Sequence, residues 1–280
     1  MKKDELEIYN SMFYWWPKVK KLGIPVPRTV LYKLDRESFI ELMMVVNTDK
    51  FTSKSRVILD KVRDVIMDMG IPCFVRGDMT SDKHEWNETC FINTTDRNVI
   101  HRNLANLIAS HDMHIGMYTG IAMYGYAVRE MLDTKPVFYY FNGTPITKER
   151  RYFYSNGEVC CFHPYWPRDA IEKGYGKDLP KDWSQKLGRM NSMNKKEIDK
   201  LTGYAKRIGD AISNDDVRSW SIDFLQDRSG KWYFIDAAIA ERSFHWDGCE
   251  VAKEKGWTKK PGVVSTIPAE NFFLTGMDKE

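Results

Sequence analysis

The chain has 280 residues, 42% of them apolar and 29% charged, with a net charge of +3. That length suits two fused lobes around one cleft, and the composition supports a large core under a solvated surface. The small net charge argues against a protein that coats nucleic acid, and no apolar run reaches the roughly 20 residues that span a bilayer.

In chain order, MKKDELEIYN carries acidic residues and lacks the apolar stretch of a signal peptide. Trp15 to Leu22 reads as a short helix stopped by Gly23, with Pro25 and Pro27 forcing an extended exit. Thr29 to Tyr32 is a predicted strand. A helix follows from Asp35, with Phe39, Ile40, Met43 and Met44 as its apolar face. Another runs from a cap at Ser53 or Ser55 to Gly70, with Val57, Val62, Val65, Ile66 and Met69 at helical spacing. IPCFVRGDMTSDKHEW is a short apolar strand opening into a polar turn, and Asn98 to Ala109 is a helix.

From Ile121 the texture changes to strands, YAVREML, KPVFYYF, ERRYFYS and EVCCFHPYW, with Asn142-Gly143 and Asn156-Gly157 as hairpin turns. Lys195 to Ile212 is helical, with Ile198, Leu201, Ala205, Ile208 and Ile212 on one face. RSWSIDFL and KWYFIDAA form a last hairpin, and the Lys- and Pro-rich end from about Lys253 is expected at the surface. This order predicts an α+β chain of two lobes, residues 1–120 and 121–280. Cys73, Cys90, Cys160, Cys161 and Cys249 contain no C-x-x-C pair, which fits reduced thiols in a cytoplasmic protein better than disulfides or a zinc knuckle.

The strongest constellation is SIDFLQDRSGKWYFIDAA. If Ser229-Gly230 is a two-residue loop, Asp223 lies opposite Asp236, with Cβ atoms about 4.5–5.5 Å apart. A four-residue loop makes them diagonal neighbours instead. Facing like charges destabilise a hairpin unless a cation neutralises them, and two hard oxygen ligands suit magnesium. The competing reading is a pair of solvated aspartates on an edge hairpin. FVRGDMTSDKH sets Arg76 at a strand end and Lys83 after a polar turn with Gly77, Thr80 and Ser81, an arrangement that can hold phosphates. In KERRYFYSNG the period of 2 puts Arg151 on a face with Phe153 and Arg150 on a face with Tyr152, so one arginine points inward. Its anionic partner is either a phosphate or a structural carboxylate such as Glu149 or Glu158. His245 could reach the cleft and His163 could wall an acceptor pocket, but His84, His163 and His245 each read first as a packed or capping histidine, and Trp15, Trp16, Trp166 and Trp246 read as core or rim rather than as a stacking platform.

In this order, the pieces resemble the ATP-grasp superfamily from about Trp15 to His245, in a divergent clade frequent in bacteriophages and distantly like the cell division cycle protein 123 family. KLGIPVPRT resembles the opening strand of such proteins and FVRGDMTSDKH the first phosphate-contacting strand with its loop. AVREML resembles the hinge between lobes, KERRYFYSNGEVC the strand whose arginine faces the γ-phosphate, and the last hairpin the metal-binding hairpin. The resemblance implies an ATP-grasp fold with ATP held between antiparallel sheets. It implies ATP-binding residues Arg76, Ser81, Lys83, Arg129 and Glu130, the last on the ribose, metal ligands Asp223 and Asp236 for Mg2+, and a catalytic Arg151.

The activity it implies is a cytoplasmic carboxylate–amine ligase, working through an acyl phosphate and releasing ADP, whose substrates include a peptide or protein. The alternative is a non-catalytic ATP-binding assembly factor. A nucleic-acid ligase is disfavoured, since Lys83-His84-Glu85-Trp86 is not K-x-D-G. Three departures stand out. The last strand reads Asp236-Ala237-Ala238 where ATP-grasp enzymes commonly end in Glu-x-Asn, Arg76 stands where many carry Lys, and the glycine-rich loop is short.

Overall fold

The computed structural model describes residues 3–172, 179–246 and 248–257. A 3-10 turn, Lys3–Asn10, leads into α1 (Met12–Val19), which starts three residues earlier than the sequence suggests. Ser11 is the reason. Its hydroxyl caps the Phe13 amide and donates to the buried Asp78 at 2.6 Å, fixing the first turn before Trp15. The strand β1 (Thr29–Lys33) is followed by α2 (Arg36–Thr48), capped by Asp35, and α3 (Ser53–Met69), capped by Thr52 rather than by Ser53 or Ser55.

The helix α2 turns a different face inward from the one expected. Leu42 and Val45 are buried, Phe39 and Met43 pack at the margin, and Ile40 and Met44 are about half exposed. The run FIELMMVV is apolar almost all round, so its period does not select a face. In α3, Val57 is likewise exposed, while Leu59, Val62 and Ile66 are buried.

Next come β2 (Cys73–Gly77), β3 (Phe91–Ile92), α4 (Arg97–His111), a π turn, α5 (Met117–Thr119) and β4 (Gly125–Glu130). These strands close a first antiparallel sheet in the order β1-β4-β2-β3, so that sheet runs to Glu130. Its inward residues Cys73, Val75, Tyr126 and Val128 pack on α2, α3 and α4 around Leu59, Val62, Ile66, Leu104 and Ile108.

A small hairpin, β5 (Phe138–Tyr140) and β6 (Thr144–Ile146), turns at Asn142-Gly143, where Phe141, Asn142 and Gly143 all have positive φ. The second main sheet has the order β10-β9-β7-β8, all antiparallel: β7 (Glu149–Ser155), β8 (Glu158–Pro164), β9 (Ser219–Gln226) and β10 (Trp232–Ile239). Asn156 and Gly157, at φ 50° and 93°, make the tight β7–β8 turn expected from the sequence. Between β8 and β9 lie α6 (Arg168–Glu172), α7 (Trp183–Asn191) and α8 (Lys195–Ile212), and the described chain ends in α9 (Glu250–Glu254). The expected surface tail from about Lys253 falls mainly on residues 258–280, outside the described residues.

One face of the second sheet packs on α1 and α8 through Tyr152, Tyr154, Trp220, Ile222, Phe224 and Phe234. Trp15 belongs to this core and is fully buried, and Trp16 and Trp166 are nearly so, as expected. Gly209 lets α8 come this close, because a Cβ there would lie 2.2 Å from the Tyr154 ring. Ile198 is only half-buried. The neighbouring Glu197 takes its place at the sheet, because Arg150 lies beneath it. No described helix is long and apolar enough to cross a membrane.

Candidate functional site

The two main sheets meet along a cleft. Arg76, Ser81, Lys83, Arg129, Glu130, Asp223 and Asp236 all line it. Seven side chains singled out in sequence segments up to 160 residues apart therefore converge on one place.

From the first sheet, Phe74 stands opposite Arg129 and Arg76 opposite Ala127, so both arginines share one face as diagonal neighbours. The opposite face is the apolar one that packs on the helices, and the alternation leaves these two cations on the cleft side. Arg76 is 3% exposed, and its Nη1 lies 2.8 Å from Asp236 Oδ1 across the floor of the cleft. Arg129 is equally buried. Its Nη1 donates to the Ile235 carbonyl at 2.6 Å, while Nε and Nη2 have no partner among the described residues. Burial pushes its pKa down to about 9, and the charge of Arg76 adds to this while Asp236 opposes it. A guanidinium still carries its charge at neutral pH under such a shift, so Arg129 is a buried cation with two idle donors.

Lys83 reaches from the loop after β2 to Glu149 Oε2 at 3.1 Å and lies over the Tyr165 ring at 3.9 Å. Burial works against its charge, but Glu149, Tyr165 and Asp223 outweigh this and raise its pKa. Ser81 lines the wall beside it, half-buried. Glu130 stands at the end of β4, where its Oε1 accepts the Arg28 amide at 2.7 Å.

The acidic pair forms by a route the sequence reading does not anticipate. The hairpin loop is neither of the expected lengths. Asp227 and Lys231 close a three-residue loop, with Asp227 N donating to the Lys231 carbonyl at 2.9 Å. Gln226 then faces Trp232, and Phe224 faces Phe234. Continued without interruption, that register would put Ile235 opposite Asp223. A β-bulge after Phe234 inserts one residue and brings Asp236 opposite Asp223 instead. The bulge leaves Phe234 and Ala237 buried in the core while Ile235 and Asp236 both face the cleft.

Arg151 and Asp223 are opposite each other on β7 and β9, and the guanidinium binds both carboxylate oxygens, Nε to Oδ1 at 2.8 Å and Nη2 to Oδ2 at 2.7 Å. The structural carboxylates expected for Arg151, Glu149 and Glu158, are not its partners. Burial opposes the charge of Arg151, but Asp223 holds its pKa above the ordinary value. Arg150 points the other way and is fully buried. Its Nε pairs with Glu197 at 2.7 Å, and its other donors take the carbonyls of Glu149, Met190 and Ser192. Both arginines are thus directed inward, Arg150 to the core and Arg151 to Asp223 at the edge of the cleft, although Arg151 is not itself among the residues that line it.

Glu149 is the cleft residue that the sequence reading underuses. Besides Lys83 it accepts the Trp166 indole at 3.1 Å. The signal lay in the same alternation that singles out Arg151, since residues 149, 151 and 153 share a face of β7. Of the histidines, His84 packs edge-on against Phe141, 4.7 Å between ring centres, and His163 and His245 lie together on the second sheet beside Phe153.

Chemically, the cleft alternates cations and carboxylates. A bare anion entering it would meet Asp223, Asp236 and Glu149, and a bare cation would meet Arg76, Lys83 and Arg129. A ligand carrying both signs, such as a phosphate chain with a divalent cation, satisfies each set. Asp236, with 29% of its side chain exposed, is open to a hard cation, whereas Asp223 becomes a ligand only if Arg151 exchanges its partner. The donor set fits Mg2+ on that condition.

No family model matches the chain, and no curated protein matches it in sequence. Solved structures do match in fold. C-terminally truncated Cdc123 from Schizosaccharomyces pombe is 10% identical over 94% of this chain and 95% of its own, with a TM-score of 0.55. Another Cdc123 structure from that organism covers 84% and 85% at 10% identity, with a TM-score of 0.51. D-alanyl-alanine synthetase A from Vibrio cholerae covers 85% of this chain and 56% of its own at 12% identity, with a TM-score of 0.43. The α+β fold expected from the sequence stands, with Cdc123 as the likeness in fold that supports it.

Proposed function

We propose that the chain is an ATP- and magnesium-dependent carboxylate–amine ligase that binds ATP in the cleft between its two sheets. The observation that carries this reading is Arg129, a buried guanidinium with Nε and Nη2 idle, beside Arg76 and facing the acidic pair. A phosphate oxygen satisfies such donors better than water-excluded side chains do. In this reading Arg76, Lys83 and Arg129 hold the phosphates, Ser81 contributes from the loop, and Glu130 binds the ribose. Asp223 and Asp236 would hold Mg2+, whose contribution when bound is to neutralise phosphate charge. The first lobe, expected at residues 1–120, carries the phosphate-contacting loop, and the second, 121–280, the acidic hairpin.

Phosphoryl transfer asks little covalent chemistry of a protein. It asks for alignment and for cations placed where charge moves. Arg151 is the cation for that role, released from Asp223 and turned to the γ-phosphoryl group as it passes to a carboxylate oxygen and ADP leaves. An amine then displaces phosphate from the acyl phosphate. The test is a screen of amino acids and peptides for acceptor-dependent ADP release, with mass spectrometry of the products. ADP and phosphate are expected, and AMP with pyrophosphate would overturn the acyl-phosphate route.

A second reading, ATP binding without transfer, is favoured by one observation. Ala238 stands opposite Ser221, two residues past Asp236, where the resemblance leads to an asparagine ligand. Tight magnesium-dependent ATP binding with no acceptor-dependent ADP would select it.

A further inference from the structure

The cleft takes up one end of its face of the second sheet. Next to it, beginning at the position on β8 opposite Arg151, a different cluster gathers. Cys161 and His163 are alternate residues of β8 and so point the same way. The segment after β10 folds back over them and brings Cys249, at the start of α9, down onto the strand. The two Sγ atoms and an imidazole nitrogen lie within 4.8 Å of one another. His163 Nε2 is buried without a partner, and the adjoining His245 has neither ring nitrogen bonded, among the described residues.

We infer that Cys161, His163 and Cys249 form a zinc site, with the fourth position taken by water. Two thiolates and one imidazole are the donors that borderline-soft Zn2+ prefers over magnesium or calcium. Tetrahedral bonds of roughly 2.3 Å to sulfur and 2.0 Å to nitrogen put donors about 3.5–3.8 Å apart, a separation that small side-chain rotations reach from the observed cluster. Binding releases the two thiol protons to solvent and leaves Zn2+ bridging β8 and α9. The pattern is not that of a knuckle. The third donor is 86 residues after the second, and no C-x-x-C announces it.

The consequence reaches the cleft. The same folded-back segment carries the Phe244 carbonyl, which lies 3.4 Å from Arg151 Nη1, and the Trp246 ring, stacked on His163 at 6.0 Å. The metal pins this segment to the sheet, and the segment in turn borders Arg151.

The test uses the full chain, purified under reductant. Elemental analysis should find about one zinc per chain. Co2+ added to the metal-stripped protein should give the intense thiolate-to-cobalt absorption of a tetrahedral site. Both should be lost in Cys249→Ser, weakened at least tenfold in affinity in His163→Gln, and kept in Cys160→Ser. Both should also be kept in the double variant Asp223→Asn, Asp236→Asn, which separates this site from a metal in the cleft. If Cys249→Ser fails to fold, withdrawal of zinc from the parent by a chelator, followed by the cobalt spectrum, decides the matter alone. Absence of both zinc and the cobalt band in the parent overturns the site. A cobalt band that survives in folded Cys249→Ser, or a Cys161–Cys249 disulfide found by mass spectrometry of the reductant-purified chain, does so too.

Discussion

Arg151 grips Asp223 with two parallel hydrogen bonds, so an expected catalytic cation and an expected metal ligand are each other's partners in the ligand-free protein. The grip has a testable cost. Arg151→Met leaves the Asp223 carboxylate, 6% exposed, without its counter-charge and should destabilise the fold by roughly 3–5 kcal/mol. Mg2+ should return part of that stability, because Asp223 is then free to bind it. Melting temperatures of variant and parent with and without Mg2+ check this, and equal shifts in both would remove Asp223 from the metal site. Arg151→Lys, which keeps a charge but loses the planar fork, should lower turnover by roughly 10²-fold with a much smaller change in the KM for ATP. A destabilised but fully active Arg151→Lys would exclude Arg151 from the chemistry.

Arg129 should behave in the opposite sense. Its buried charge has one hydrogen bond and a repelling neighbour in Arg76. Arg129→Met should therefore stabilise the ligand-free protein by about 1–3 kcal/mol. The same change should weaken ATP binding by roughly 10- to 100-fold, the scale of hydrogen bonds to a charged group. Denaturant unfolding and calorimetric titration of one preparation measure both. A loss of stability with unchanged affinity would make Arg129 a structural residue.

For Asp236, the expected effect is on the magnesium dependence of binding. Calorimetry of ATP in the presence and absence of Mg2+ should show the magnesium enhancement in the parent and its loss in Asp236→Ala. Equal affinity of the two in magnesium buffer would sink the assignment of Asp236 as a ligand.

Glu197 provides a control for these cleft variants. It is nearly buried, and both its oxygens are engaged, one by Arg150 at 2.7 Å and one by Lys148 at 2.6 Å. Glu197→Gln should cost roughly 3–5 kcal/mol by leaving Arg150 unpaired. ATP affinity per folded molecule should stay within twofold, since neither residue lines the cleft. A selective loss of affinity at unchanged stability would place the Arg150–Glu197 pair in the binding machinery after all.

Much of this site was legible because strands and hairpins encode direction locally. The alternation in ERRYFYS sorts Arg150 from Arg151, Asn156-Gly157 fixes a turn, and the spacing in Lys195 to Ile212 gives a helix with the observed ends. Asp223 and Asp236 were paired correctly on a premise about the loop that does not hold, because the bulge at Ile235 makes up the difference. A bulge depends on what the strand packs against, and this one sits between the buried Phe234 and the cleft, which sequence spacing does not reveal. The partners of the cations were equally out of reach. Lys83 finds Glu149 across 66 residues, and Cys249 meets Cys161 across 88, through contacts that only the assembled sheets create. On α2 the sequence failed for a different reason, since a helix apolar on nearly every side carries no directional signal.

Among the described residues, contacts from Arg76 to Asp236, from Arg129 to the Ile235 carbonyl, and from Lys83, in the loop after β2, to Glu149 reach across the cleft. All three employ cations that a phosphate chain would claim in the proposed reading. A nucleotide that draws Arg76 and Lys83 away from their carboxylates therefore dissolves the protein's own fastening and replaces it with itself. The mechanical connection between the sheets then runs through the ligand, and the freedom of one sheet to rock against the other becomes a function of how many phosphates are present. Loss of the terminal phosphate would be felt as slack at the cleft, without any element of the fold having to unfold to report it.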